Sequence, residues 1–85
     1  MANSVHTTVY KELIRRFVAA RNAAGLTQQA VADQLDKPQS YLAKVEGLER
    51  RLDVVEPLQL AKAIGIDPVP AIRAAWATVR RERAD

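Results

Sequence analysis

Residues 26 to 53, LTQQAVADQLDKPQSYLAKVEGLERRLD, constrain the fold more than any other part of this chain. Thr27 can offer its hydroxyl to the free amides of a helix, and the apolar positions Val31, Ala32 and Leu35 predict that helix over 28–35. Asp36-Lys37-Pro38 then forms a joint. Proline pushes Lys37 out of helical geometry, while its own fixed φ suits the first position of a new helix. A second short helix is therefore expected over 38–46, with Leu42 and Val45 turned inward and Gln39, Ser40, Ala43 and Lys44 on the other side. Arg50 and Arg51 follow it directly.

The flanking sequence supplies the partners these two helices need. Tyr10, Leu13, Ile14, Phe17, Val18 and Arg21 recur at helical spacing, one face of an amphipathic helix from about Thr8 to Ala24. Thr7 or Thr8 can cap its start and Gly25 stops it. Further on, Asp53 caps a helix over 54–64 that Gly65 closes, with Leu58, Leu60, Ala61 and Ile64 as core positions. Pro57 is tolerable only in its first turn. Asp67-Pro68 opens a last helix carrying Val69, Ile72, Trp76 and Val79 on one stripe. The expected architecture is all-α and compact, five helices in one domain over 8–79. A flexible tail (1–7) precedes it and a polar tail (80–85) follows.

Composition removes several classes of function. A chain of 85 residues has room for one small core. With four aromatic residues (Tyr10, Phe17, Tyr41 and Trp76), alanine and aliphatic side chains must fill it. There is no cysteine and a single histidine, His6, so neither thiol chemistry nor a metal site is expected, and no cofactor motif is present. No apolar run approaches the roughly 18 to 20 residues of a membrane span, and MANSVHTT lacks the charged start and apolar stretch of a secretory signal. A cytoplasmic protein without membrane contact is expected. The net charge of +3 agrees with a polyanionic partner, although so modest an excess is common in proteins of every kind.

The chemistry of the second short helix points to double-stranded DNA. Residues 27–46 read as a helix-turn-helix, and a B-DNA major groove about 12 Å wide admits one helix whose N-terminal side chains reach base edges. Gln39 can bond bidentately to adenine, Ser40 is permissive, and Lys44 can reach guanine or a phosphate. These three are the candidate base readers. Gln28 and Gln29 open the preceding helix, where free amides and the helix dipole suit a phosphate oxygen. With Lys37, Arg50 and Arg51, and with the hydroxyl of Tyr41 in reach, they form the candidate backbone contacts.

Leu26 to Asp67 also resembles the Cro/C1-type (XRE-like) helix-turn-helix regulators, through Leu-Thr-Gln, Lys-Pro-Gln-Ser, Lys-x-Glu and Glu-Arg-Arg-Leu-Asp-Val-x-Glu in that order. The resemblance implies a lambda-repressor-like DNA-binding fold and a dimeric transcriptional regulator of bacterial, phage or plasmid origin. It puts Gln28 on the family's phosphate-contacting glutamine and Gln39, Ser40 and Lys44 on its base-reading positions. It also implies that Arg21 and Glu46 form a structural ion pair. Chemistry asks for such a partner independently, because an uncompensated buried charge costs roughly 3 to 5 kcal/mol. Three positions depart from the pattern. Asp36 stands where glycine with positive φ is usual, and aspartate tolerates that region better than most residues. Gly47-Leu48 replaces arginine-glycine, which moves the glycine by one and removes a phosphate contact. Pro57 replaces an apolar residue and should delay its helix to about Glu56.

Val69, Ile72, Trp76 and Val79 have two readings: core folded back on the first helix, or the seam of a dimer. The small size of the domain favours the dimer, since two-fold pairing roughly doubles the DNA read. The leading expectation is a homodimeric, sequence-specific regulator, most often a repressor, on a two-fold symmetric operator, nucleoid-associated when bound. The alternative is an antitoxin or adaptor that holds a protein partner with the Trp76 helix. No activated nucleophile, paired acid or phosphate-binding glycine loop suggests an enzyme.

Overall fold

The computed structural model describes residues 7–82. Residues 1–6 of the expected tail over 1–7, His6 among them, and residues 83–85 of the polar tail lie outside them. Five helices follow in order: α1 (Thr8–Ala23), α2 (Gln28–Gln34), α3 (Gln39–Glu46), α4 (Glu56–Ile64) and α5 (Val69–Arg81). No strand forms among the described residues.

The starts of the helices follow local chemistry. The Thr7 hydroxyl accepts from the Tyr10 amide at 3.2 Å, and the Thr27 hydroxyl from the Ala30 amide at 3.0 Å, so each satisfies an orphan donor of its helix. Pro38 differs from expectation. Its ψ of 155° is extended, so it caps α3 from outside and the helix proper begins at Gln39. At α4, Asp53 Oδ1 accepts from the amides of Val55 and Glu56 at 2.9 and 2.8 Å, while the Asp53 amide donates back to Glu56 Oε1 at 2.8 Å. This reciprocal capping box and Pro57 in the first turn start the regular helix at Glu56, as the proline suggested. α5 opens with Asp67 Oδ1 accepting from the Val69 amide and continues through Arg81.

Four of the helix ends share one device, a residue with positive φ just past the helix: Gly25, Asp36, Leu48 and Gly65. At the end of α3 the Leu48 amide donates to the Val45 carbonyl and the Glu49 amide to the Lys44 carbonyl, the same pattern that closes α1 and α2. Moving the glycine by one therefore does not move the turn. Gly47 keeps an ordinary φ of −83° and Leu48 takes the left-handed position at φ 64°. Left-handed geometry costs a leucine about 1 to 2 kcal/mol, and the packing of its half-buried side chain against the core offsets part of that.

The core joins one face of each of the first four helices. Ile14 and Phe17 of α1, Val31 and Ala32 of α2, Leu42 and Val45 of α3, and Leu60, Ala61 and Ile64 of α4 are buried together, with Leu52 from the connection before α4. Leu52 was not expected there. Its amide donates to the Tyr10 hydroxyl at 2.9 Å, which pins the connection to α1. Leu58, expected in the core, is instead 45% exposed. At roughly 100° per residue it falls about 110° from the centre of the face made by Leu60, Ala61 and Ile64.

α5 packs on α1 through small residues. Ala71 is buried, and Ala74, Ala75 and Thr78 are half-buried. The Thr78 hydroxyl lies 3.2 Å from both the Glu12 carboxylate and the Ala74 carbonyl. The opposite face of α5 carries Val69, Ile72, Trp76 and Val79, all exposed. Trp76 is 58% exposed, so within a single chain the stripe is not core.

Candidate nucleic-acid interface

A chain of hydrogen bonds runs from α1 to the first residue of α3. Arg21 meets Glu46 bidentately, Nε to Oε2 at 2.7 Å and Nη2 to Oε1 at 2.9 Å, and its third nitrogen, Nη1, donates to the Leu26 carbonyl at 2.8 Å. Both side chains are nearly buried, at 12% and 13% exposed. The hydrogen bond to Glu46 chiefly holds the Arg21 guanidinium above its ordinary pKa, against the opposing effect of burial. Glu46 Oε1 also accepts from Gln28 Nε2 at 2.9 Å, and Gln28 Oε1 accepts from Gln39 Nε2 at 2.7 Å.

That chain has a chemical use at its outer end. An amide nitrogen carries two protons, so Gln39 can give one to Gln28 and keep the other, with its own Oε1, for the paired donor and acceptor of an adenine edge. The contact to Gln28 restricts the side chain before any base arrives. Gln28 likewise keeps a second amide proton. Ser40 and Lys44 are exposed on the same helix, one turn apart.

The remaining candidates divide. Gln29 is exposed and its amide donates to Asp33 at 2.8 Å, a bond within α2. Lys37 is exposed, with Nζ 5.4 Å from the centre of the Tyr41 ring. Arg51 is exposed on the connection after α3. Tyr41 and Arg50 are engaged within the chain: the Tyr41 hydroxyl donates to Glu56 Oε2 at 3.0 Å, and Arg50 Nη2 lies 3.2 Å from the same oxygen. The Arg50 guanidinium also stands 4.7 Å from the centre of the Tyr41 ring. Burial, and then the bond to Glu56, pushes the Tyr41 phenol up to about 12. Glu56 is held below the ordinary carboxylate range, first by the Asp53 amide and then, against burial, by Arg50 and Tyr41.

Sequence reasoning missed the gathering role of Glu56. Asp53-x-x-Glu56 is a readable capping pattern. The meeting of residues 41, 50 and 56 is not readable, because the fold brings α3, the connection after it and the first turn of α4 together. Among the described residues no group of three or more histidine, cysteine, aspartate or glutamate side chains is placed to hold a metal ion, and no helix is long and apolar enough to cross a membrane.

The fold and this surface define a DNA-binding helix-turn-helix protein. Comparison with known families matches residues 18–69, more than half of the chain, to the helix-turn-helix family. Among solved structures, an XRE-family like protein from Pseudomonas syringae pv. tomato str. DC3000 superposes with a TM-score of 0.80 at 39% identity, over 88% of this chain and 92% of that one. A comparison with curated proteins gives no significant match. The chain belongs to the Cro/C1-type, XRE-like helix-turn-helix family of DNA-binding regulators.

Proposed function

We propose that the chain is a sequence-specific regulator, acting as a repressor, that binds a two-fold symmetric operator as a homodimer with α3 in the major groove. The observation that carries the reading is the anchored Gln39. An exposed glutamine at the start of α3 is held by Gln28, which is held in turn by the Arg21 and Glu46 pair. Such restraint is what a base-reading side chain needs, since little rotamer freedom is then lost on contact. Gln39, Ser40 and Lys44 read bases. Gln28, Gln29, Lys37 and Arg51 contact phosphates and fix the register.

The exposed stripe of Val69, Ile72, Trp76 and Val79 supports pairing of two chains, as apolar side chains aligned on one exposed helix face mark an interaction surface. Two copies of α3 would then address half-sites about 34 Å apart, one helical turn of DNA. The same stripe favours a second reading, in which the helix holds a different protein and the chain serves as an antitoxin or adaptor. Either form works in the cytoplasm, at the nucleoid when bound to DNA.

Selection of the purified protein against a random duplex library tests the proposal. A two-fold symmetric consensus is expected, and Gln39→Ala should blur it at one position in each half. Sequence-blind binding that disappears with added salt would contradict the reading and direct attention to a protein partner of the Trp76 helix.

A further inference from the structure

The Glu56 carboxylate gathers more donors than a helix cap requires. The Asp53 amide completes the capping box at 2.8 Å, and that alone satisfies the start of α4. The other donors come from elsewhere: the Tyr41 hydroxyl from α3 at 3.0 Å, and the Arg50 guanidinium from the connection after it, at 3.3 Å to Oε1 and 3.2 Å to Oε2. A guanidinium fork and a hydroxyl are the groups that meet a DNA phosphate, and carboxylate and phosphate oxygens satisfy that fork in the same way. These donors stand on the elements that also carry Lys44 and Arg51.

We propose that Glu56 is an internal substitute for a DNA phosphate, a positioning residue that holds Arg50 and the Tyr41 hydroxyl on its carboxylate and so keeps Arg50 out of the contacts to the DNA backbone. This rests on the DNA reading given above. Arg50 is restrained from three sides: by the carboxylate, by its place 4.7 Å from the Tyr41 ring centre, and by a hydrogen bond from Nη1 to the Arg51 carbonyl at 3.1 Å. Its side chain is still 41% exposed, so a phosphate could reach it once the carboxylate loses its charge. The consequence is functional. Every arginine placed on a phosphate strengthens binding to all sequences alike. Withholding one lowers the sequence-independent grip and leaves more of the binding to Gln39, Ser40 and Lys44.

The test is the salt dependence of binding to mixed-sequence double-stranded DNA, which needs no knowledge of the operator. Glu56→Gln keeps an acceptor for the Asp53 amide and removes the charge. It should steepen the slope of log affinity against log salt by about 0.9, one additional phosphate contact. Arg50→Ala alone should leave the slope of the parent protein unchanged, and Glu56→Gln with Arg50→Ala should return to it. Circular dichroism establishes that each variant is folded. A flatter slope in Arg50→Ala alone would overturn the proposal, because Arg50 would then already be on a phosphate; this arm stands even if Glu56→Gln does not fold. An unchanged slope in folded Glu56→Gln, or a steeper slope that persists in the double variant, would overturn it as well. Binding by the parent protein separates the two levels. If it binds duplex and Glu56→Gln matches it, only the role of Glu56 falls; if it binds no duplex at low salt, the DNA reading falls too.

Discussion

The α2 and α3 surface and the outer face of α5 are both exposed, yet they are built in opposite ways. On the first, polar side chains are joined in sequence from Arg21 through Glu46 and Gln28 to Gln39, so hydrogen bonds arrange the surface before it meets anything. On the second, Val69, Ile72, Trp76 and Val79 lie open while the small residues of the same helix pack on α1. The contrast suits the two faces to different work. A prearranged polar face suits recognition of a fixed pattern of donors and acceptors, whereas an uncovered apolar face gains free energy from burial against a partner.

The largest effect should come from breaking the anchor of the polar face. Arg21→Ala leaves Glu46 nearly buried without its bidentate partner, and thermal or urea unfolding should show a loss of about 2 to 3 kcal/mol. Loss of DNA affinity should accompany it, since Gln28 and Gln39 lose their support. Next is the apolar face. Trp76→Ser should weaken self-association by about 2 kcal/mol in sedimentation equilibrium, the scale of a central tryptophan in an interface, with little change in monomer unfolding. A destabilised monomer would instead mean that the stripe serves the fold. Smaller effects belong to the tips of the polar face. Gln39→Ala and Lys44→Ala should each cost about 1 to 2 kcal/mol on the selected site and relax its base preference, as read in a panel of single-base variants. Arg51→Ala should weaken all sequences alike and flatten the salt slope by about 0.9. The smallest change sits between the two helices. Asp36 has a φ of 57° and is exposed, so Asp36→Gly should raise stability by about 0.5 to 1 kcal/mol without altering base preference.

Most of the helix order is legible because the signals are local. Thr7, Thr27, Gly25 and the Asp36-Lys37-Pro38 joint act within a few residues, and the structure uses them where the sequence suggests, apart from Pro38 standing just outside α3 rather than inside it. What was not legible depends on distance in the chain. Leu52 is buried by core residues of the four helices while its amide bonds to Tyr10, far back in α1, and the exposure of Leu58 follows from the angle at which α4 meets the core. Leu48 shows a further limit. A search for glycine finds Gly47, but the hydrogen bonds at the end of α3 require the left-handed residue one position later, and leucine takes it. In the site, residue chemistry nominates Gln28, Gln39 and Lys44 as candidates, while the bonds that join Gln39 through Gln28 to Glu46 were not legible. Nor was the turning of Tyr41 and Arg50 toward Glu56, since each is a good phosphate ligand on its own and only the fold shows the carboxylate beside them.

In the proposed dimer one face reads DNA while the other pairs two chains to do so. The direct measurement is the mass, by sedimentation velocity, of the protein on its selected duplex, for the parent protein and for Trp76→Ser. Two chains per duplex are expected for the parent, and for the variant a stepwise, weaker filling of the two half-sites. One chain per duplex in both, at the same affinity, would contradict the dimer.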